Sequence, residues 1–482
     1  MSPRPWDEDV VYMILIDRFH RGSRSRGAVE PPFHGGNLAG VAEKLDYLQD
    51  LGVTALWLSP LYKNQRDGYH GYWPVDFFDV DPRFGSLEEF AELVRECHRR
   101  GLKVLLDKVF NHTGYDHPMP KDPRYRGWFH KGKEMLWIDQ RSMEDCALHG
   151  LPDFAHEKPE VARFLIDMAL WWQEKTGVDG FRLDAVKHVP IGFWRQLSEE
   201  LHRKAGPEFL LLGEVFRGVP GYIARYQREG GVDAVFDVPF ADTVRSALSR
   251  DCEMPGPSLF ARLAELRREY KTMLFNEILR KLFARRPTDM RWFHKLLHGE
   301  DAYARPDRLA PFIDNHDLSR FASEVRDPGQ RLRMALTLLL TWRGIPVLTY
   351  GTECGMRGRT DGSNRSPMPF GADPDLTDFT RRLIAFRRSQ PALTRGTLLQ
   401  AHADREVFAF LRQAGGSKVL TVLNNSGLAQ RRDLELSSGA GFGPWKDVFS
   451  GEALRAGEGV LEVDLPPRSA RVLVGPEGLA GC

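Results

Sequence analysis

Short apolar runs alternate with amphipathic stretches over most of the chain. VVYMILIDRF (10–19) reads as a buried strand, residues 39–51 as a helix, and VTALWLSPL (53–61) as a second strand. SLEEFAELVRECHRR (86–100) has a serine N-cap, early glutamates and a basic end closed by Gly101, which predicts a helix. LKVLLDKVF (102–110) follows as a third strand. A helix at 158–176 leads to VDGFRLD (178–184), and one near 191–204 leads to FLLLGEV (209–215). Then come VDAVFDV (232–238), a charged helical stretch over 258–298, LAPFID (309–314), a helix at 328–342 and IPVLTY (345–350). Eight strand-like runs separated by helices predict an α/β chain with a parallel (β/α)8 TIM barrel, because parallel strands need helical crossovers. A doubly wound sheet would want a glycine-rich phosphate loop after an early strand, and the sequence has none there.

Two stretches break the rhythm. Residues 111–157 form a long irregular insertion after strand three, rich in His, Pro, Asp and aromatics, and loops of that length usually carry function or form a small subdomain. From about 391 the pattern becomes short alternating runs with Gly and Asn turns, which predicts an antiparallel β-sandwich over 391–482. The barrel is therefore expected over 1–110 and 158–390.

In such a barrel the carboxyl ends of the strands build the active site. Strand three ends in DKVFNH, with Asp107, Asn111 and His112, and strand four in GFRLDAVKH, with Arg182, Asp184, Lys187 and His188. Strand five ends in LLGEV, with Glu214, and strand seven in FIDNHD, with His316 and Asp317. Arg182 and Asp184 are two apart, so they share a face, and the guanidinium keeps the carboxylate ionised. Glu214 follows an apolar run, the setting of a general acid, and two such carboxyls about 5 Å apart mark a retaining glycosidase. Taken singly, each has a plainer reading: Glu214 as a solvated charge, Arg182–Asp184 as a structural ion pair, His112 and His316 as structural histidines. Trp73 reads as core and Cys97 as packing. Lys108 alternates away from Asp107 toward the helix layer, where its stem is expected to snorkel.

The charge balance narrows the partner. Lys plus Arg number 67 against 66 Asp plus Glu, and no basic run appears, so a neutral partner fits better than a nucleic acid, and the 258–298 stretch reads as solvated helices. The five cysteines are sparse and unpaired in pattern, which suits a reducing compartment. The apolar stretch at 10–16 is too short to span a membrane, and no secretion signal precedes it, so the expectation is a cytoplasmic, monomeric enzyme without membrane association.

DKVFNH, GFRLDAVKH, GEV and FIDNHD resemble, in order and spacing, the four signature regions of the α-amylase family, glycoside hydrolase family 13. GVTALWLSPL, GYHGYW (68–73), LPDF (151–154) and GIPVLTYGTE (344–353) extend the resemblance over nearly the whole chain. It implies Asp184 as nucleophile, Glu214 as acid/base and Asp317 as a carboxylate holding two hydroxyls of the distorted sugar. It further implies that His112 and His316 hold that sugar's hydroxyls, that Arg182 orients Asp184, and that Tyr72, with His70 before it, forms the aromatic platform. Lys187 and His188 match contacts to the leaving side, and Asp361 with Arg365 matches a pair gripping sugars on the non-reducing side. A structural calcium ion is implied through Asn111, Asp153 and the carbonyl of His188, with Asp139, Glu144 or Asp145 as the remaining carboxylate. No organic cofactor is implied.

VKH after the nucleophile and EV after the acid resemble α-1,4-acting amylases, which makes starch-type glucans and maltooligosaccharides the expected substrates. Cyclodextrin-degrading relatives usually carry an extra N-terminal domain, and cyclodextrin-forming ones two further C-terminal domains and an aromatic where this chain has His149. The rivals are a 4-α-glucanotransferase, a maltogenic amylase or a cyclomaltodextrinase/neopullulanase with the same machinery, and a non-catalytic glucan-binding protein.

Overall fold

The computed structural model describes residues 4–23, 31–132, 135, 137, 139–249, 288–436, 443–457 and 459–475, apart from the side chain of Asp361. Most of the 258–298 stretch lies outside the described residues; its end, Trp292–Gly299, is helical.

Eight parallel strands form one sheet: β1 (Val11–Ile14), β2 (Ala55–Leu58), β3 (Lys103–Lys108), β4 (Gly180–Leu183), β5 (Leu210–Gly213), β6 (Ala234–Phe236), β7 (Leu309–Ala310) and β8 (Val347–Thr349). The order is β8-β1-β2-β3-β4-β5-β6-β7. Backbone bonds from Ile345 N–H to the Leu309 carbonyl and Val347 N–H to the Pro311 carbonyl, both 2.9 Å, join the last strand to the seventh and close the barrel. All eight runs read from the sequence are strands. Apart from the partly buried Lys103, their residues are buried on both faces, as a barrel wrapped in helices requires.

Two local expectations are corrected. The first strand stops at Ile14, and Ile16–Phe19 is a helical turn whose Asp17 carboxylate accepts the amides of His34 and Gly35. The expected helix at 39–51 is two helices, Leu38–Glu43 and Leu45–Leu51, broken at Lys44. The helix Leu87–Arg99 is closed by a full capping box of Ser86 and Glu89.

Lys108 does not snorkel. It is fully buried, its Nζ lying 4.3 Å from the Tyr62 ring centroid and 4.6 Å from that of Trp172, with no hydrogen-bond partner among the described residues. Alternation set its face, but the rings of the hairpin Tyr62–Asn64 and of helix α1 (Pro159–Thr176) cover the exit to water.

Between β3 and α1 the insertion is mostly irregular. Bridges pairing His112 with Asp153 and Phe129 with Phe154 tie its parts to one another. From Thr397 onward the chain forms eight antiparallel strands in one folded sheet. Val407, Leu411, Leu420, Trp445, Leu461 and Leu473 fill its core.

Candidate active site

Parallel register places Asp107 of β3 directly beside Arg182 of β4. Both point into the barrel mouth and are fully buried. Arg182 Nη1 donates to Asp107 Oδ1 at 2.9 Å and to Asp184 Oδ1 at 2.7 Å. Its Nη2 lies 2.9 Å from Glu214 Oε1. One guanidinium thus gathers carboxyls from the ends of β3, β4 and β5, and Asp184 and Glu214 hang on its two terminal nitrogens.

Around this group the chain is tightly constrained. Ala185, next after Asp184, is held at φ 51°, a left-handed conformation a non-glycine residue adopts at a cost of about 1–3 kcal/mol. That twist aims its amide at Glu214 Oε2, 3.2 Å away. Tyr72 Oη donates to Asp107 Oδ2 at 2.8 Å, and Trp57 Nε1 donates to the same oxygen at 3.0 Å. Gly71 permits the close turn before Tyr72: its φ is 89°, and a Cβ there would lie 2.2 Å from the Pro60 carbonyl oxygen.

Burial raises Asp107 to about 6, against the lowering effects of Arg182 and Tyr72. Burial likewise raises Asp184, with Arg182 pulling down and Glu214, Asp107 and Asp317 pushing up. Burial lowers Arg182, but the surrounding anions outweigh it and hold the guanidinium protonated. Asp107 and Asp184 share the one guanidinium, so their titration belongs to the pair rather than to either member.

The histidines predicted for the site are buried and neutral. Burial lowers His112 to about 4 and His70 to about 3, and pushes His316 well below its ordinary value. His112 Nε2–H donates to the Tyr72 carbonyl at 3.1 Å. His70 Nδ1 accepts the Tyr72 amide at 3.0 Å. The His316 ring is parallel to that of Tyr72, 5.4 Å between centroids. Asp317 is half exposed, its Oδ1 taken by Arg365 Nη2 at 2.8 Å and its Oδ2 lying 3.2 Å from His316 Nε2.

On the opposite side Lys187 Nζ donates to the Phe216 carbonyl at 3.1 Å and lies over the Trp137 ring. His188 is buried and turns away, donating from Nδ1 to the Met143 carbonyl at 3.2 Å. Asn111 and Asp153 meet where the insertion joins the barrel. His112 presents Nδ1 to Asn111 Nδ2–H at 3.3 Å. That leaves Asn111 Oδ1 facing away, and both it and Asp153 Oδ1 are buried without a hydrogen-bond partner among the described residues. Asp153 Oδ2 takes His130 Nδ1 at 2.7 Å. A cavity of about 380 Å³ opens beside Asp153, His130 and Phe129 and includes none of the carboxyls held by Arg182.

Of the expected fourth carboxylates, Asp139 caps the helix Gln140–Asp145, Glu144 accepts from Gln140, and Asp145 accepts from Arg141 Nε at 3.2 Å and lies 4.0 Å from His130. Trp73 is partly exposed rather than core, edged against His70 and Tyr115. The side chain of Asp361 lies outside the described residues.

Sequence reading placed Asp107 at a strand end without giving it a role, and passed over three residues that touch the site: Trp57, Tyr69 and Trp137. Asp107 was legible, since the alternation that turns Lys108 outward turns Asp107 in. The aromatics had no such signal, because their partners are tens of residues away.

A model of the alpha amylase catalytic domain matches residues 13–390. The chain belongs to the α-amylase family. It is accordingly a glycosidase, a hydrolase of O-glycosyl bonds. Residues 397–472 also match a maltogenic amylase C-terminal domain. The α-amylase of Geobacillus thermoleovorans, solved in complex with acarbose, superposes with a TM-score of 0.86 at 34% identity, covering 98% of this chain and 99% of that one. Neopullulanase 2 of Thermoactinomyces vulgaris is 30% identical over 98% of this chain and 78% of its own length. A beta/alpha-amylase of Paenibacillus polymyxa is 30% identical over 97% of this chain, which spans 38% of that longer protein. Among the described residues no helix is long and apolar enough to cross a membrane.

Proposed function

We propose that this family member cleaves α-1,4-glucosidic bonds of starch-type glucans and maltooligosaccharides with retention of configuration. The observation that carries the reading is the single Arg182 guanidinium joined to Asp184 and Glu214. In this reading Asp184 attacks the anomeric carbon as the glycosidic C–O bond breaks, and Glu214 gives its proton to the departing oxygen. Glu214 then takes a proton from water, which attacks the same carbon and frees Asp184. Arg182 stays protonated throughout and holds both side chains so that they flank the scissile bond, Asp184 opposite the departing oxygen and Glu214 beside it. Asp317 and the neutral His112 and His316 bind hydroxyls of the distorted ring, and Tyr72 supports its face. Lys187 contacts the leaving side, and Asp361 and Arg365 lie toward the non-reducing side.

A calcium ion between insertion and barrel is part of the proposal. Asn111 Oδ1 and Asp153 Oδ1 are hard oxygen donors, buried and unpartnered among the described residues, which is the chemistry calcium takes. With the His188 carbonyl they would hold it, and the ion would supply a structural link outside the reaction itself. Chelation is expected to lower the melting temperature, and calcium to restore it; a melting curve indifferent to both contradicts the assignment.

A second reading has its own support: the C-terminal match and the relatives named neopullulanase and cyclomaltodextrinase fit a cyclodextrin- or pullulan-cleaving enzyme. A transfer-dominated reaction is the third. Product analysis from starch, maltoheptaose, cyclodextrin and pullulan separates them, with Asp184→Asn and Glu214→Gln as controls. Maltooligosaccharides released from starch and lost by several orders of magnitude in both variants support the main reading. Faster attack on cyclodextrin or pullulan replaces it with the second, disproportionation of maltoheptaose with the third, and near-full activity in either variant rejects the site.

A further inference from the structure

The geometry points to Arg365 as a positioning residue for Asp317, acting at the cleavage subsite itself rather than only on a sugar farther along the cleft. The inference rests on the reading of Asp317 as a carboxylate that binds the sugar being cleaved.

Asp317 needs an external hold. Its side chain is 42% exposed, so no apolar wall selects its rotamer. The turn that carries it is fixed at the backbone, where Asn315 Oδ1 accepts the Asp317 amide at 2.9 Å, but that contact leaves the carboxylate free to swing. Arg365 supplies the hold on Oδ1 at 2.8 Å, while His316 stands by Oδ2.

Arg365 is itself pinned. Its Nε donates to the His316 carbonyl at 2.8 Å and its Nη1 to Tyr69 Oη at 3.4 Å, and its side chain is only 12% exposed. Tyr69 is braced in turn, with the Arg18 guanidinium 4.0 Å from its ring centroid. Arg18 is buried and held by Asp17 Oδ2 at 2.7 Å and the Pro32 carbonyl at 2.9 Å. A continuous run of contacts therefore leads from the turn after β1 through Tyr69 and Arg365 to the carboxylate after β7. A guanidinium gripping only a distant sugar would not need its fork committed to Asp317 and to the carbonyl of the residue before it.

The length of the glycone separates the two roles. α-Glucosyl fluoride places one sugar at the cleavage subsite and none beyond it; α-maltotriosyl fluoride fills the farther subsites too. Fluoride release by Arg365→Leu is expected to lose at least ~10-fold in kcat on α-glucosyl fluoride with KM changed by less than ~2-fold, the signature of an interaction expressed in the transition state. Arg365→Lys is expected to recover part of that loss, and Tyr69→Phe, which removes only the oxygen Arg365 touches, to cost ~2–5-fold in the same parameter. Because Arg365 acts through Asp317, the Asp317→Asn/Arg365→Leu pair should lose no more than Asp317→Asn alone. Unchanged kcat of Arg365→Leu on α-glucosyl fluoride, with loss confined to the longer fluoride, overturns the inference, as do multiplicative losses in the pair. An Asp317→Asn variant with full activity would instead show that the underlying reading of Asp317 has failed. Melting temperatures of all variants, with the lysine and phenylalanine forms as mild substitutions, exclude misfolding as the source of a loss.

Discussion

Of the places where this molecule buries arginine, two use it in opposite ways. At the barrel mouth Arg182 faces three carboxyls, and their charge holds its proton firmly. At the joint with the C-terminal sheet, Arg387 and Arg412 meet only backbone carbonyls among the described residues. Arg387 donates to Leu340, Trp342 and Gly344 at 2.7–3.0 Å, and Arg412 to Thr341 and Gly396 at 3.0 Å. Burial lowers Arg387 to about 9 and pushes Arg412 well below its ordinary value. The carbonyls of Leu340, Thr341, Trp342 and Gly344 belong to the end of the helix Pro328–Thr341 and the turn beyond it, and that of Gly396 to the C-cap of the helix Pro391–Arg395, groups that an α-helix leaves without partners. One arrangement concentrates charge that a reaction can redistribute; the other satisfies dipoles and holds two units together.

Breaking each region should therefore show in a different measurement. Arg182→Lys keeps a cation but loses the planar fork, and kcat/KM is expected to fall by at least ~10²-fold, measured on maltoheptaose. A loss under tenfold would mean the fork does not organise the carboxyls. Arg387→Ala strands three carbonyls, and chemical denaturation should register a loss of ~3–5 kcal/mol, while kcat below the melting range stays near that of the parent. A large fall in kcat without destabilisation would erase the contrast.

Lys108 sharpens the comparison from the next residue along β3. Burial pushes its amine well below the usual lysine value, Asp107 opposing. Between that depressed value and the unfolded chain's ~10.4, the unfolded chain binds a proton that the folded one refuses, so the penalty on folding grows as pH falls through the window. Lys108→Met should raise stability by ~1–3 kcal/mol, more at pH 7 than at pH 10; an equal or reversed gain would mean the amine is protonated within its ring of aromatics. The smallest effect concerns Asp107, whose charge raises Asp184. Asp107→Asn should move the acid limb of kcat/KM to lower pH, by up to ~1 unit, and a limb that moves upward would contradict the charge argument.

The wall of the barrel was legible because it obeys simple periodicities: eight apolar runs, each short, each followed by helix, with acids and histidines where the runs end. The convergence of Asp184 with Glu214 followed from those ends and from the family resemblance. Alternation showed which way Lys108 faces but not how deep it lies, since depth depends on Tyr62 and Trp172 arriving from elsewhere in the chain. The same limit hid Tyr69, whose partners Arg18 and Arg365 are 51 and 296 residues away. The break at Lys44 was missed because the apolar spacing continues across it.

The whole account turns on which carboxylate becomes bonded to sugar. A 5-fluoro-α-glucosyl fluoride slows the second half of a retaining reaction, so the glycosyl-enzyme accumulates and survives proteolysis for mass spectrometry. The account predicts a single label on Asp184, in the peptide containing GFRLDAVKH, and its absence in Asp184→Asn. A label on Glu214 or Asp317, or product released with inverted configuration and no label, would contradict it.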